Sequence, residues 1–254
     1  MQPTAILFTL LLLTPMASAA PAVCRGESGE RLVPLVELYT SEGCDSCPPA
    51  DRWLSARFTG DASAGAVPLA FHVDYWDRLG WKDRFASPHY TARQQAAMRA
   101  NGATFVYTPQ VLLHGRDFRE WRGGSAATAI AAARSRIAGA RIDAAVTVEG
   151  TTLLVRAEVE LAPAFERSAV VAFAYVDSGL VTQVRAGENR GERLVHDHVV
   201  RAFETQALAA PKTSVRATLQ RPAESGTHPR VVVFVQDARS GEVAQALAVP
   251  LAGC

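Results

Sequence analysis

The stretch SEGCDSCPPADRWLSARF, residues 41–58, carries the most informative pattern in the chain. It places Cys44 and Cys47 two residues apart, directly before Pro48 and Pro49. From the second cysteine onwards, apolar residues recur at helical spacing, and prolines fit the first turn of a helix, where backbone N–H groups lack partners. We therefore expect a helix to begin at the cysteine pair. A pair with this spacing can be a redox centre, a metal clip or a structural disulfide.

Buried strands and helices alternate around this first helix. Apolar runs predict strands over residues 31–40 and 66–76 and a helix over 87–102, followed by two short strands, the second at DFREW, and an alanine-rich helix to about Ile137. With Cys-x-x-Cys between the first strand and the first helix, this order is the thioredoxin pattern. The sequence therefore predicts an α/β thioredoxin-like domain over residues 20–139, with parallel strands after the first crossovers and a late hairpin.

Cys44 is the predicted nucleophile of the pair. The thiolate is the reactive form in disulfide exchange, and unpaired N–H groups and the positive dipole end at a helix start should stabilise it. Cys47 lies about one turn later on the apolar stripe, so it should be less exposed and act as the resolving cysteine. Asp45 and Glu42 add negative charge nearby and oppose this effect.

Thr108 and Pro109 are the predicted substrate-binding residues, because they stand directly before a strand. In thioredoxin-like folds, a cis proline at this position faces the cysteine pair, and the backbone of its neighbour holds an extended substrate. Roughly one X–Pro bond in twenty is cis, and the predicted topology favours that form here. The alternative is a trans proline that merely starts the strand.

His72 and Asp74 are candidate proton relays. They should emerge at the carboxyl end of the second strand, the edge at which open α/β sheets bind ligands. Either side chain is placed to carry protons to Cys47. The alternative is that His72 is a hydrogen-bonded core residue.

The amino end has the pattern of a removable export signal. Residues 1–19 contain an apolar run too short to span a bilayer and end in the small residues Ala17, Ser18 and Ala19. A membrane anchor is the alternative. We expect a periplasmic or secreted protein with no membrane association after cleavage, in a compartment where disulfides persist. A net charge of +1 and the lack of a long basic run disfavour nucleic acid as a partner.

Cys24 and Cys254 are the other two cysteines, near the two ends of the mature chain. Because exported free thiols are uncommon, we predict a structural disulfide between them. The chain-entropy model assigns about 5 kcal/mol to so long a loop, before any native strain is subtracted. The alternative is that both cysteines stay free in frayed ends.

Residues 140–254 have a different pattern of apolar and polar side chains. LVRAEVEL, residues 154–161, alternates apolar and polar side chains, and further short strand patterns follow, separated by turn signals, with almost no helix. Such a pattern is typical of a small β-sandwich. The fold class predicted for the whole chain is thus an α/β thioredoxin-like domain followed by an all-β sandwich-like domain, joined near Gly139.

Five motifs resemble a family of exported bacterial proteins catalogued as domain-of-unknown-function family twelve twenty-three. They are VELYTSEGCDSCPPAD, FHVDYWDRLGWKDRF, YTARQ, VYTPQVLLHG and GENRGERLVHDHVVR, spread over nearly all of the mature chain. The resemblance implies a thioredoxin-like first domain, a disulfide-active pair at Cys44 and Cys47, and a β-rich second portion. It supplies no substrate. His114 departs from the small polar residue expected at its position.

The leading functional hypothesis is an exported thiol–disulfide oxidoreductase that needs no cofactor. It would form mixed disulfides between Cys44 and exported protein thiols or disulfides. One alternative is a binding module whose Cys44–Cys47 bridge is permanent. Another is a copper or zinc protein in which these sulfurs are joined by His196 and His198, expected on one face of a strand.

Overall fold

A computed structural model describes residues 22–59, 65–224, 226–252 and 254, and strands dominate it. The predicted export signal, residues 1–19, lies outside the described residues. None of the helices in the described ranges is long and apolar enough to cross a membrane. The helices are α1 (Pro48–Arg57), α2 (Pro88–Ala100) and α3 (Ser125–Arg134), with short 3-10 turns at Asp77–Leu79, Arg119–Arg122 and Pro163–Phe165.

Fourteen strands run through the described part of the chain. They are β1 (Ala22–Glu27), β2 (Leu35–Thr40), β3 (Val67–His72), β4 (Gln110–Leu113), β5 (Arg116–Asp117), β6 (Ala140–Glu149), β7 (Thr152–Leu161), β8 (Ala169–Ser178), β9 (Leu180–Gln183), β10 (Arg193–His196), β11 (Val199–Ala207), β12 (Lys212–Gln220), β13 (Thr227–Asp237) and β14 (Val243–Pro250).

Eight of these strands form one sheet, in the order β14-β13-β8-β11-β3-β2-β4-β5. β2 and β3 are parallel, as expected for strands joined through α1. β4 is antiparallel to β2, so the expectation of parallel strands after both crossovers is wrong for the second one. Of the predicted strand DFREW, only the first residue, Asp117, lies in a strand, β5. A 3-10 turn begins at Arg119 and ends the extended segment.

The predicted division into an α/β thioredoxin-like domain and a separate all-β sandwich-like domain is wrong. β11 lies between β8 and β3, antiparallel to the first and parallel to the second through Val199 opposite Ala70. The N–H of Ala70 donates to the carbonyl oxygen of His198 at 2.7 Å. Strands from the two halves of the sequence therefore share one hydrogen-bonded sheet. Local periodicity reports which residues are extended and does not report which distant strand completes the ladder.

A second sheet, β1-β6-β7-β12, covers one face of the eight-stranded sheet. Its inward side chains, such as Ile142 and Val155, are buried with Phe173 and Val233 of the large sheet in one apolar core. Because side chains alternate along a strand, the neighbouring residues of β8 and β13, such as Ala174 and Phe234, lie on the opposite face of the large sheet. They belong to a second apolar core that includes Tyr90 of α2. Cys24, on β1, is joined by a disulfide to Cys254, as predicted.

Candidate functional site

The cysteine pair lies at the start of α1, as predicted, and is joined by a disulfide. Cys47 is the residue that precedes the first helical turn, and Pro48 and Pro49 begin the helix. These prolines have no N–H, and the next two N–H groups, those of Ala50 and Asp51, donate to the carbonyl oxygen of Cys47. The first turn therefore leaves no unpaired N–H for a sulfur, which weakens the predicted stabilisation of a thiolate.

Both sulfurs of the pair are enclosed. Cys44 and Cys47 are each 0% exposed, whereas Asp45 and Ser46 between them are exposed. The expectation that Cys47 is less exposed than Cys44 is therefore wrong for the disulfide-bonded structure, since neither side chain is exposed. The Cys44 Sγ atom lies 3.3 Å from the hydroxyl oxygen of Ser46, which sits on the exposed side of the loop.

Thr108 and Pro109 face the cysteine pair, and the peptide bond between them is cis, as predicted. The Thr108 hydroxyl donates to Cys44 Sγ at 3.3 Å and accepts from the Trp76 indole nitrogen at 2.8 Å. Thr108 thus connects the disulfide to an aromatic side chain that follows β3. Its role in substrate binding stays a prediction.

His72 is a buried core residue, hydrogen-bonded to Asp83 with 2.7 Å between Nδ1 and Oδ2. Burial by itself lowers the pKa of His72, but attraction to Asp83 and the hydrogen bond outweigh it, so the net shift is upward. Burial likewise raises the pKa of Asp83, and the same contact with His72 reverses the shift to a net lowering. Both directions favour the charged forms of the pair, an imidazolium beside a carboxylate.

Asp74 points towards α2. Its carboxylate accepts from the Thr91 hydroxyl at 2.6 Å, and its N–H donates to the same hydroxyl oxygen. In the part of the chain that the structure describes, neither Asp74 nor His72 is hydrogen-bonded to Cys47. The proton-relay prediction therefore has no direct contact to support it.

A buried group of carboxyl and imidazole side chains lies behind the cysteine loop. Three of its members, Glu42, His72 and His196, were named from the sequence, but in separate roles and not as one group. Asp83 accepts the N–H of Glu42 at 2.9 Å, and a Glu42 carboxylate oxygen lies 3.3 Å from Nε2 of His196. The His196 ring is 4.9 Å from that of His72. Burial is the largest influence on Asp51 and raises its pKa, although both histidines oppose it. Only folding brings these residues together.

The turn between β9 and β10 covers the cysteine loop from outside. Asn189 is buried, and its side-chain nitrogen donates to the carbonyl oxygens of Glu42 and Cys44, each at 2.9 Å. The neighbouring Glu188 carboxylate accepts the N–H of Asp45 at 3.2 Å. From the sequence, this GENRGER segment is named only as part of a family motif, and its contact with the cysteine loop is not predicted. Its place among the family motifs was the available signal.

The histidines of the metal hypothesis do not share a strand face. His196 ends β10, whereas His198 lies outside it with a φ of 60° and has its Nδ1 2.8 Å from a guanidinium nitrogen of Arg230. Burial and this arginine lower the pKa of His198 to about 3. Within the described ranges, no group of three or more His, Cys, Asp or Glu residues is arranged to hold a metal ion.

A family model described as "Protein of unknown function (DUF1223)" matches residues 35–236. The chain belongs to the DUF1223 family. The resemblance inferred from the five motifs is thereby confirmed as to family, and the match includes the cysteine pair, the cis proline and the turn that covers them. No curated protein matches this DUF1223 chain.

Two solved structures are similar to this DUF1223 protein. Protein AGR_C_4864 from Agrobacterium tumefaciens is 26% identical with a TM-score of 0.63, and the similarity covers 87% of this chain and 96% of that one. HBP35 of Porphyromonas gingivalis is 12% identical with a TM-score of 0.64, covering 87% of this chain and 75% of that one. At that identity the second likeness shows the fold alone.

Proposed function

We propose that this DUF1223 protein exchanges disulfides with exported proteins through its Cys44–Cys47 pair. The observation that carries the proposal is the contact between the disulfide and the residues directly before β4. The Thr108 hydroxyl, beside the cis Pro109, donates to Cys44 Sγ at 3.3 Å. A partner segment lying along Pro109 would bring its own sulfur to Cys44 before reaching Cys47.

Exchange begins when a partner thiolate attacks Cys44 Sγ. A partner–Cys44 bond forms, the Cys44–Cys47 bond breaks, and Cys47 leaves with the electron pair and takes up a proton. A second partner thiolate then attacks the partner sulfur of the mixed disulfide and releases Cys44 as a thiolate. The partner has lost two electrons and the protein has gained two, and the same steps run in reverse when the protein reduces a partner. The Thr108 hydroxyl is placed to donate to the released Cys44 thiolate.

Burial of both sulfurs makes access a separate step in this proposal. The atoms nearest to Cys44 Sγ include the hydroxyl oxygens of Ser46 and Thr108, each at 3.3 Å. Ser46 is exposed and belongs to the short loop itself, so a small rearrangement of this loop would open a path. A bulky thiol reagent should therefore react more slowly than a small one.

The second candidate function is a binding module with a permanent Cys44–Cys47 disulfide. Complete burial of both cysteines and the two hydrogen bonds from Asn189 to the loop favour it. In this alternative the bridge shapes a surface and takes no part in chemistry.

Equilibration in redox buffers separates the two candidates. The mature protein is held at graded ratios of reduced to oxidised dithiothreitol, its thiols are alkylated, and mass spectrometry counts them. Exchange predicts that two thiols appear with one midpoint while the protein remains folded, and that reoxidation reverses the change. A Cys24→Ser/Cys254→Ser variant isolates the inner pair. If thiols appear only together with unfolding, the permanent bridge is correct.

A further inference from the structure

A groove of about 450 Å³ lies directly beside the cysteine loop. It is lined by side chains from this loop, from the segment before β4 and from the 3-10 turn after β5: Ser46, Phe105, Tyr107, Thr108, Pro109, Arg119, Trp121 and Arg122. Two of these, Ser46 and Thr108, are the residues whose hydroxyls lie 3.3 Å from Cys44 Sγ. Whatever occupies the groove is therefore adjacent to the sulfur on which exchange would start.

One wall of this groove is aromatic and unusually exposed. Phe105 is 63% exposed, and its ring centre is 6.2 Å from that of Tyr107. Trp121, which also lines the groove, is buried. A large apolar side chain left in water beside a concave site is typical of a contact that a partner covers.

The other feature of the groove is its positive charge. No Asp or Glu lines it, whereas Arg119 and Arg122 both do. The guanidinium of Arg122 lies 4.8 Å above the Trp121 ring, and among the described residues it has no carboxylate within ion-pair distance. Arg119 is 3.0 Å from the Asp117 carboxylate, which also accepts from Tyr107, so this acidic group is already occupied. In the described part of the chain, the groove therefore offers a ligand one cation that no carboxylate pairs with, Arg122, beside a second, Arg119, that already pairs with Asp117.

We propose that this groove binds extended segments of exported proteins in which acidic residues flank the reacting cysteine and an apolar side chain covers Phe105. The inference rests on the proposed function, since it names the class of partner that reaches Cys44. Carboxylates of the partner pair with Arg119 and Arg122, and its apolar side chain packs on the exposed ring. Basic segments are repelled.

Synthetic peptides test recognition and exchange separately. Three peptides share one phenylalanine and one serine in place of cysteine, and carry two Glu, two Gln or two Lys residues around the serine. Calorimetric titration of the oxidised protein should give about tenfold tighter binding for the Glu peptide than for the Lys peptide at low salt. The preference should shrink in 0.5 M salt, because exposed charges are then screened. Equal affinities for all three peptides would overturn the inference.

Variants assign the effect to the groove. Arg122→Glu should abolish or reverse the order of the peptides, whereas the matched Arg216→Glu, an exposed position on β12 in the other sheet, should preserve it. Phe105→Ser should weaken all three peptides by a similar factor without changing their order. An unchanged order in Arg122→Glu would overturn the assignment to this groove.

The same peptides with cysteine restored in place of serine allow the rate of disulfide exchange to be measured. The rates distinguish a failure of this inference from a failure of the proposed function. Faster exchange with the Glu peptide supports both. Exchange at equal rates with all three leaves the proposed function standing and overturns this inference. Acidic preference in binding without any exchange keeps the groove as a recognition site and overturns the redox function, in favour of a binding module.

Discussion

The two disulfides of this protein differ in what they contribute and in what surrounds them. Cys24 and Cys254 are 230 residues apart, so their bridge removes about 5 kcal/mol of chain entropy from the unfolded state. Cys44 and Cys47 are three apart, and the same model assigns their bridge about 2 kcal/mol. The outer bridge joins β1 to Cys254. The inner one has two hydroxyl groups at 3.3 Å from Cys44 Sγ, and a buried carboxyl group and a buried imidazole group contact Glu42 in the same loop. The inner bridge is therefore poorly explained by stability alone, and its surroundings favour a chemical role.

The largest expected difference between the two disulfides is in the effect of Cys47→Ala, which should stop exchange at the mixed disulfide. Cys44 then attacks partners but has no second sulfur to release them, so mixed disulfides accumulate. Non-reducing electrophoresis and mass spectrometry of cells that produce the variant measure the adducts. The matched Cys44→Ala variant should trap far fewer, because Thr108, beside the cis Pro109, contacts Cys44, so a partner segment along Pro109 reaches Cys44 first. Equal trapping by both variants would contradict the assignment of Cys44 as the nucleophile.

Removal of the outer bridge should give the largest loss of stability. Cys24→Ser/Cys254→Ser is expected to lower the free energy of unfolding by up to about 5 kcal/mol in urea titrations. Cys44→Ala/Cys47→Ala should cost less, since its loop is short. A larger loss from the inner pair than from the outer one would reverse the comparison and identify the inner bridge as structural.

The ion pair behind the inner bridge should make stability depend on pH. The raised pKa of His72 adds stability that is complete below its ordinary value of 6.5 and disappears as pH rises through the folded value. The lowered pKa of Asp83 adds stability that is present above its ordinary value of 3.8 and disappears as pH falls through the folded value. The pair therefore stabilises the fold most between about pH 4 and pH 6.5.

His72→Gln should lower the free energy of unfolding by about 3 kcal/mol at pH 6 and by less at pH 9, since it leaves the Asp83 carboxyl buried without its cation. Glu42, Asp51 and His196 face the same site and remain in place. Unfolding by urea at both pH values measures the difference. His89→Gln, an exposed histidine on α2, should change neither value. A pH-independent loss would contradict the ion pair.

The smallest expected effect concerns the turn that covers the inner bridge. Asn189→Ala removes two hydrogen bonds to the cysteine loop and should cost about 1–3 kcal/mol of stability. It should also speed reduction of the pair by dithiothreitol about fivefold, because the loop opens more easily. Reduction is followed by quenching and thiol counting.

Asn101→Ala is a close control for this variant, because the Asn101 side chain also donates to two carbonyl oxygens, those of Ala97 and Gly115, away from the disulfide. It should lose similar stability with no change in the rate of reduction. If both variants accelerate reduction equally, the faster reduction in Asn189→Ala comes from general destabilisation. The hydrogen bonds of Asn189 to the cysteine loop then have no specific role.

The local elements were predictable where a short pattern decides them. The start of α1 at the cysteine pair follows from helical spacing and two prolines, and the helix predicted over residues 87–102 is α2, Pro88–Ala100. The cis bond before Pro109 required the predicted topology as well. The equal burial of Cys44 and Cys47 could not be predicted, since Thr108 and Asn189, which contact Cys44, come from distant segments.

By itself, the sequence determined the cysteine spacing, the helix that begins there, the strand segments and the membership in a family. These depend on side-chain periodicity and on proline and glycine chemistry, which act over a few residues. Only the tertiary structure decided that β11 joins the two halves in one sheet, that both inner sulfurs are enclosed, and that arginines line a groove beside them. Strand pairing and burial depend on contacts between segments far apart in the chain, and no local pattern records which segments will meet.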